Sequence, residues 1–168
     1  MAKKDFKRMI SCYGYTREDK SIKKWMQIAS FKKVFKNYII FTLSRFIPDS
    51  SFKNHLYRKT GLKLGKNVSL FAPNFDVFFP EMISVGDNTV IGNMTSILAH
   101  EFLVHEWRKG PVKIGKNVMI GAMTLVLPGV TIGDGATIAA YSLVNRNVEP
   151  GDFVGGVPIK TIRKPKKK

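Results

Sequence analysis

Branched aliphatic residues return every six positions over the second half of the chain, and no other pattern in it is as regular. Set out in sixes from Ile114 to Glu149, the segment reads IGKNVM, IGAMTL, VLPGVT, IGDGAT, IAAYSL, VNRNVE. Ile114, Ile120, Val126, Ile132, Ile138 and Val144 lead the units, and a small residue follows most of them. A helix would place apolar residues three and four apart and a strand every second residue, so neither accounts for the step. A parallel β-helix does, with one short strand and one turn per unit and three units per triangular coil. The leaders then point inward, and coils about 4.8 Å apart stack Ile114 on Ile132, Ile120 on Ile138 and Val126 on Val144. A lone coil buries little, so several must stack. The chain supplies them: VGDNTV, IGNMTS and IL from Val85, Ile91 and Ile97, and before these LGKNVS and LF from Leu64 and Leu70. A mainly β repeat domain over residues 61–159 is expected, between an arm (1–60) and a tail (160–168).

The six-residue ruler breaks once. After Ile97 a leader is due near Leu103, yet regular phasing resumes only at Ile114, and LAHEFLVHEWRKGPVK stands between. This predicts a loop over 98–113 extruded from the scaffold, holding His100 and His105 with Glu101, Glu106, Trp107 and Arg108. Titratable groups on a loop held by a rigid scaffold are disproportionately functional, although a single loop histidine is more often an ordinary surface residue.

Upstream the period changes. Phe31, Val34, Phe35, Tyr38, Phe41 and Leu43 recur at roughly helical spacing with Lys32, Lys33 and Lys36 opposite, which predicts a helix from Ser30 to Ile47 ended by Pro48. A second short helix is expected from Asp49 or Ser50 to about Lys59, with Gly61 as its stop. Repeat folds need capped ends, so one reading docks the apolar face of these helices on the first coil. The other lays a helix with a basic face opposite Phe, Tyr and Ile on an anionic membrane surface.

Charge sharpens the division. Residues 1–60 hold 15 Lys or Arg against four acids, residues 61–168 hold 13 against eight, and the run from Lys160 to Lys168 has six positive charges and no acid. No helix-turn-helix, RNA-recognition or zinc-finger pattern accompanies the charge, so no nucleic-acid partner is expected. A chain of 168 residues suits one core. Cys12, the only cysteine, excludes an internal disulfide and any multi-cysteine metal site and suits a reducing cytosol. The N-terminus is too polar for a secretory signal, and there is no uncharged apolar run of roughly 18 residues, so a cytoplasmic protein, soluble or peripheral to the inner face of the membrane, is expected.

From Ser96 to Arg163 the residues SILAHEFLVHEWRKGPVKIGKNVMIGAMTLVLPGVTIGDGATIAAYSLVNRNVEPGDFVGGVPIKTIR resemble the hexapeptide acyltransferase family, most of all its maltose and galactoside O-acetyltransferase branch. The likeness covers about Leu62 to Arg163 and includes a histidine loop, an IG-x-x-V-x-IG turn, LPGVTIGD and a closing GGVP-x-K/R element. It implies a left-handed parallel β-helix, an exception to the right-handed crossover rule, assembled as a homotrimer. It further implies transfer of acetyl from acetyl-coenzyme A to a hydroxylated acceptor, with no metal. The family's general base falls on His100, with His105 the weaker candidate. Imidazole, with a pKa of about 6.5, can take a hydroxyl proton near neutral pH. The oxyanion that forms needs a fixed donor, for which the Ala122 N–H in the Ile120-Gly121-Ala122 turn is the candidate. Direct transfer is expected rather than an acyl-enzyme, since Cys12 is remote in sequence from the loop.

The resemblance also implies a cofactor groove between neighbouring solenoids. Its matching positions are Ala122, Ala140 and Ser142, with Asn145 farther along and Lys160 and Arg163 near the nucleotide phosphates. Tight turns and a solvated tail would call for the same residue types. On the acceptor side the matches are Asn74 and Asp76, with Glu81 after a gap. Phe75, Val77, Phe78, Phe79 and Met82 make that stretch apolar for a simple sugar, which points to a larger, partly apolar acceptor such as a lipid-linked glycan precursor. Residues 1–60 match nothing in the family. Two alternatives stay open: an antibiotic-inactivating acetyltransferase, or a metal-binding β-helix like the gamma-type carbonic anhydrases. The latter needs three histidines, whereas His55 lies in the arm and only His100 and His105 in the solenoid.

Overall fold

A β-branched leader followed by a residue with little or no side chain permits a two-residue strand and then a sharp corner, and the chain is built from that alternation. The computed structural model describes residues 8–14 and 25–164. Three parallel sheets make the sides of a triangular, left-handed β-helix. The first holds β2 (Lys63–Leu64), β5 (Ile83–Val85), β10 (Val112–Ile114) and β13 (Thr131–Ile132). The second holds β3 (Ser69–Leu70), β6 (Val90–Ile91), β11 (Met119–Ile120), β14 (Thr137–Ile138) and β16 (Phe153–Gly155), closed by the antiparallel β17 (Lys160–Arg163). The third holds β4 (Asn74–Phe75), β7 (Ser96–Ile97), β12 (Leu125–Val126) and β15 (Leu143–Val144).

The register stacks the leaders as the six-residue period requires: Ile114 on Ile132, Ile120 on Ile138 and Val126 on Val144. Val85, Ile91 and Ile97 continue the columns, and all nine residues are buried. Where coils stack so closely the corners have no room for side chains. A Cβ on Gly86 would lie 2.7 Å from both backbone C and O of Gly115. The first coil departs from the ruler, because its third leader is Phe75, five residues after Leu70, and Asp76 falls at the corner instead.

An open β-helix end is a row of unpaired carbonyls, and two helices seal it with donors. In α3 (Ser51–Arg58), N-capped by Ser50 Oγ accepting from Lys53 N at 3.3 Å, Lys53 Nζ donates to Leu70 O at 2.9 Å and Asn54 Nδ2 to Val68 O at 2.7 Å. Arg58 Nη2 donates to Gly65 O at 2.7 Å. The short α1 (Trp25–Ile28) precedes α2 (Phe31–Ser44), in which Asn37 Nδ2 donates to Val77 O at 2.9 Å. Burial pulls the Lys53 ammonium below its ordinary pKa against the opposing charge of Asp49, and pushes the Tyr57 hydroxyl up to about 12 despite Arg45.

Three expectations change. The apolar face of the first arm helix was expected to dock on the coil; instead Asn37, Phe41 and Ser44 face inward while Phe31, Phe35, Tyr38 and Leu43 are exposed. On that side Asn37 supplies an amide donor to the coil edge at Val77 O, and Phe41 packs into the core beside it. The arm is not wholly helical, since β1 (Ser11–Gly14) is a strand. The extruded loop is a hairpin of β8 (His100–Phe102) and β9 (Glu106–Lys109), with β1 antiparallel to β9 as a third strand. The parts of the arm at 1–7 and 15–24, and the tail at 165–168, lie outside the described residues. If α3 seals the edge by hydrogen bonding, Asn54→Ala will lower stability by about 1–3 kcal/mol in urea unfolding by leaving Val68 O buried without its donor; an unchanged midpoint would show that packing alone holds the cap.

Candidate active site

His100 opens β8 at the corner between the third and first sheets, where the hairpin leaves the coil. The five-residue step in the coil above brings Asp76 to the same corner. Asp76 Oδ2 lies 2.5 Å from His100 Nδ1 and accepts from Ala99 N at 2.8 Å and His100 N at 3.0 Å. Its Oδ1 accepts from Phe78 N at 2.8 Å and Phe79 N at 3.1 Å. Burial pushes the Asp76 carboxyl up, but the hydrogen bond and charge of His100 and the N–H groups of Ala99 and Phe79 outweigh it and hold the group below its ordinary range. An ionised Asp76 fixes the tautomer with the proton on Nδ1 and leaves Nε2 free to accept.

Asp76, matched in the sequence to the acceptor side, has its side chain fully buried and both oxygens engaged. Asn74 is also tied up. Its Oδ1 accepts from Arg45 and its Nδ2 lies 3.4 Å from Ser96 Oγ, in a cleft of about 310 Å³ lined by Tyr38, Phe41 and Val77. Glu81 pairs with Lys33 at 2.7 Å. His105 is exposed between β8 and β9, away from the His100 corner.

Rings surround His100: Phe78 and Phe79 come from the stretch read as apolar for a simple sugar and Trp107 from the loop, while Phe102 and Tyr13 are residues the pattern does not single out. Phe102 is 4.6 Å, Phe78 4.8 Å and Phe79 5.6 Å from its centroid, and Trp107 stacks on Phe79 at 6.0 Å. Tyr13 of β1 stacks on Trp107 at 4.4 Å. Directly opposed residues in antiparallel strands share a face, so Ser11, Lys109 and His100, and likewise Tyr13, Trp107 and Phe102, lie on one side. Cys12 is opposite Arg108 and Glu101 on the other side. Sequence distance therefore misjudged Cys12, which is in the hairpin sheet; it is the face, not remoteness, that separates it from the imidazole.

The small residues gather at a different corner, between the second and third sheets. Gly121-Ala122 stacks on Ala139-Ala140, where a Cβ on Gly121 would lie 2.3 Å from Ala140 N. Gly155 follows below, paired with Lys160, while Arg163 pairs with Phe153. Lys160 and Arg163 are both exposed on β17. Gly121 N and Met123 N donate to Ile138 O and Asn93 O, whereas the Ala122 N–H has no acceptor among the described residues. Ser142 does not line this corner freely: it is buried, its hydroxyl donating to Ala139 O at 2.7 Å and accepting from Gly156 N at 3.1 Å. Asn145 follows β15 and so belongs to the His100 corner, with its Oδ1 buried and unpartnered among the described residues. Among the described residues no three His, Cys, Asp or Glu side chains are arranged to hold a metal ion.

The family described as bacterial transferase hexapeptide (six repeats) matches residues 111–146. A Bacillus subtilis (strain 168) protein named provisionally as acetyltransferase YvoF is 51% identical over 140 residues, 81% of this chain and 80% of that protein. The galactoside O-acetyltransferase of Escherichia coli (strain K12) is 34% identical over 113 residues, 62% of this chain and 54% of that protein. Among solved structures, a galactoside acetyltransferase in complex with coenzyme A superposes with a TM-score of 0.65 at 21% identity, covering 86% of this chain and 90% of that one.

A carboxyl whose folded pKa is depressed adds stability that is complete above its unfolded value, about 3.9, and is lost as pH falls through the folded one. Asp76→Asn should cost about 2–4 kcal/mol near neutral pH. The difference in melting temperature from the wild type should narrow below about pH 4, and a difference independent of pH would remove Asp76 as an ionised partner of His100.

Proposed function

The chain belongs to the bacterial hexapeptide transferases, and on that premise we propose that it is an acetyl-coenzyme A-dependent O-acetyltransferase acting on a hydroxyl of a glycan or related acceptor, with His100 as general base. The observation that carries the reading is the buried Asp76 carboxylate on His100 Nδ1, which leaves Nε2 as the free basic atom of an imidazole walled by Phe78, Phe79 and Phe102. His100 Nε2 takes the proton of the acceptor hydroxyl as its oxygen attacks, and returns it to the departing sulfur. Asp76 holds the ring orientation and stabilises the imidazolium between those events. Acetyl-coenzyme A supplies, when bound, a thioester carbonyl as electrophile and a thiolate as leaving group.

The corner of Ala122 and Ala140 suits that donor. It offers a passage without bulky side chains, an unpaired N–H at Ala122 to meet developing negative charge, and Lys160 and Arg163 for phosphates. Ser142 supports the corner from within rather than touching the donor.

His100 and Ala122 occupy different corners of one triangular solenoid, so one copy does not bring base and donor passage together. A neighbour's Ala122 corner set against this copy's His100 corner completes a site, and repeating that contact around a threefold axis closes a homotrimer. The rings beside His100 favour an acceptor with an apolar portion near its reacting hydroxyl over a bare sugar.

Thiol release from acetyl-coenzyme A is the readout, over a panel of glycans, lipid-linked glycans and chloramphenicol. His100→Ala should lower kcat by about 10²–10⁴-fold in a protein that light scattering shows to be trimeric. An unchanged rate would end the role of His100 as base, and acetylation of chloramphenicol alone would replace the glycan reading with drug inactivation. Asp76→Asn should lower kcat more than it raises KM, since it disturbs the base and not an acceptor contact.

A further inference from the structure

Helix α2 presents its apolar side to solvent. The residues it turns to the first coil are Asn37, Phe41 and Ser44, and Asn37 Oδ1 and Ser44 Oγ find no partner among the described residues. At 100° per residue the opposite side carries Phe31, Phe35, Tyr38, Ile39 and Leu43, between 40% and 59% exposed. Phe46, 83% exposed just past the helix, and Phe52, 59% exposed in α3, add further exposed rings. An apolar patch of this extent on a folded protein marks a contact surface.

Charge identifies the occupant. From Trp25 to Pro48 the chain has Lys32, Lys33, Lys36 and Arg45 and no Asp or Glu. Lys33 is paired with Glu81; Lys32 stands within the apolar stripe between Ile39 and Leu43, while Lys36, which also donates to Lys59 O at 3.2 Å, and Arg45, which donates to Asn74 Oδ1, border it on either side. A second copy using the same face would set these cations against their own kind. An anionic lipid surface meets both the rings and the cations. Position agrees, because the buried side of α2 faces the coil edge and its apolar side therefore looks away from the first coil.

We propose that α2 seats the protein on an anionic membrane surface, with Phe31, Phe35 and Phe46 in the boundary between headgroups and acyl chains and Lys32, Lys36 and Arg45 at lipid phosphates. His100 leaves the second coil from this capped end, so the base stands roughly two coil spacings, about 10 Å, beneath the cap. A hydroxyl carried on a lipid headgroup or lipid-linked glycan is then at its level. The docking surface itself does not depend on the acetyl-transfer reading.

Flotation of the full chain with vesicles of equal parts phosphatidylglycerol and phosphatidylcholine, against phosphatidylcholine alone, tests it. The wild type should float with the anionic vesicles only, and the double variants Phe35→Ser/Phe46→Ser and Lys32→Glu/Lys36→Glu should each bind about tenfold more weakly or less. Melting curves and thiol release in solution at wild-type levels would show both variants folded and the catalytic reading unaffected. Absence of wild-type flotation overturns the proposal, as does undiminished binding by either variant. Self-association of the wild type that Phe35→Ser/Phe46→Ser abolishes would overturn it in favour of a second copy.

Discussion

Backbone hydrogen bonds between successive coils hold them at strand spacing, and nearly every other feature answers to that distance. Side chains at the corners must vanish, as at Gly86 and Gly121, because backbone from the next coil occupies the place of a Cβ. Inside, identical spacing makes each leader the floor of the one above, so Ile, Val and Leu columns are buried along the triangle. At the end of the stack the same bonds have nothing to pair with. The polar faces of α2 and α3 are the structural response, supplying Asn37, Lys53, Asn54 and Arg58 as donors where a further coil would have been.

Function enters where the stacking rule is relaxed. One relaxation is a side of the first coil shortened to five residues, which drops a carboxylate into a corner. Another is the hairpin that lifts out of the next coil and carries an imidazole onto that carboxylate. The proposed base rests on both features: the carboxylate holds the ring, and the hairpin fixes the face on which Phe102, Trp107 and Lys109 accompany it. The N-terminal strand adds Tyr13 to that face, tying the arm to the site through backbone pairing.

Periodicity reveals what repeats, and so the solenoid, its register and the position of its interruption were legible in the residues. Helical spacing in the arm indicated a helix, but it grouped Phe41 with Phe31, Phe35, Tyr38 and Leu43, whereas Phe41 is buried with Asn37 and Ser44 and the other four are exposed. The side that docks depends on carbonyls of the first coil, which no residue-by-residue pattern records. The burial of Asp76 against His100 was not legible for a similar reason: it depends on a one-residue contraction between Leu70 and Phe75, visible only once Phe75 is known to take the leader's place. The resemblance grouped Ser142 and Asn145 with Ala122 and Ala140, but it could not show that the Ser142 hydroxyl bonds Ala139 and Gly156 or that Asn145 follows β15 at another corner. The four residues of β1 carry no periodic signal, and their pairing with β9 is a tertiary fact.

The ring wall around His100 leaves that side chain only 13% exposed. An imidazole able to activate a sugar hydroxyl is chemically able to activate water, and a thioester beside it would then be hydrolysed for nothing. Phe78, Phe79 and Phe102 place carbon around the imidazole where solvent would otherwise stand, so under the proposed reading they limit the water that His100 could activate. Aromatic packing at this corner thus bears on fidelity as much as on affinity, because it decides whether the activated oxygen belongs to a substrate or to the medium.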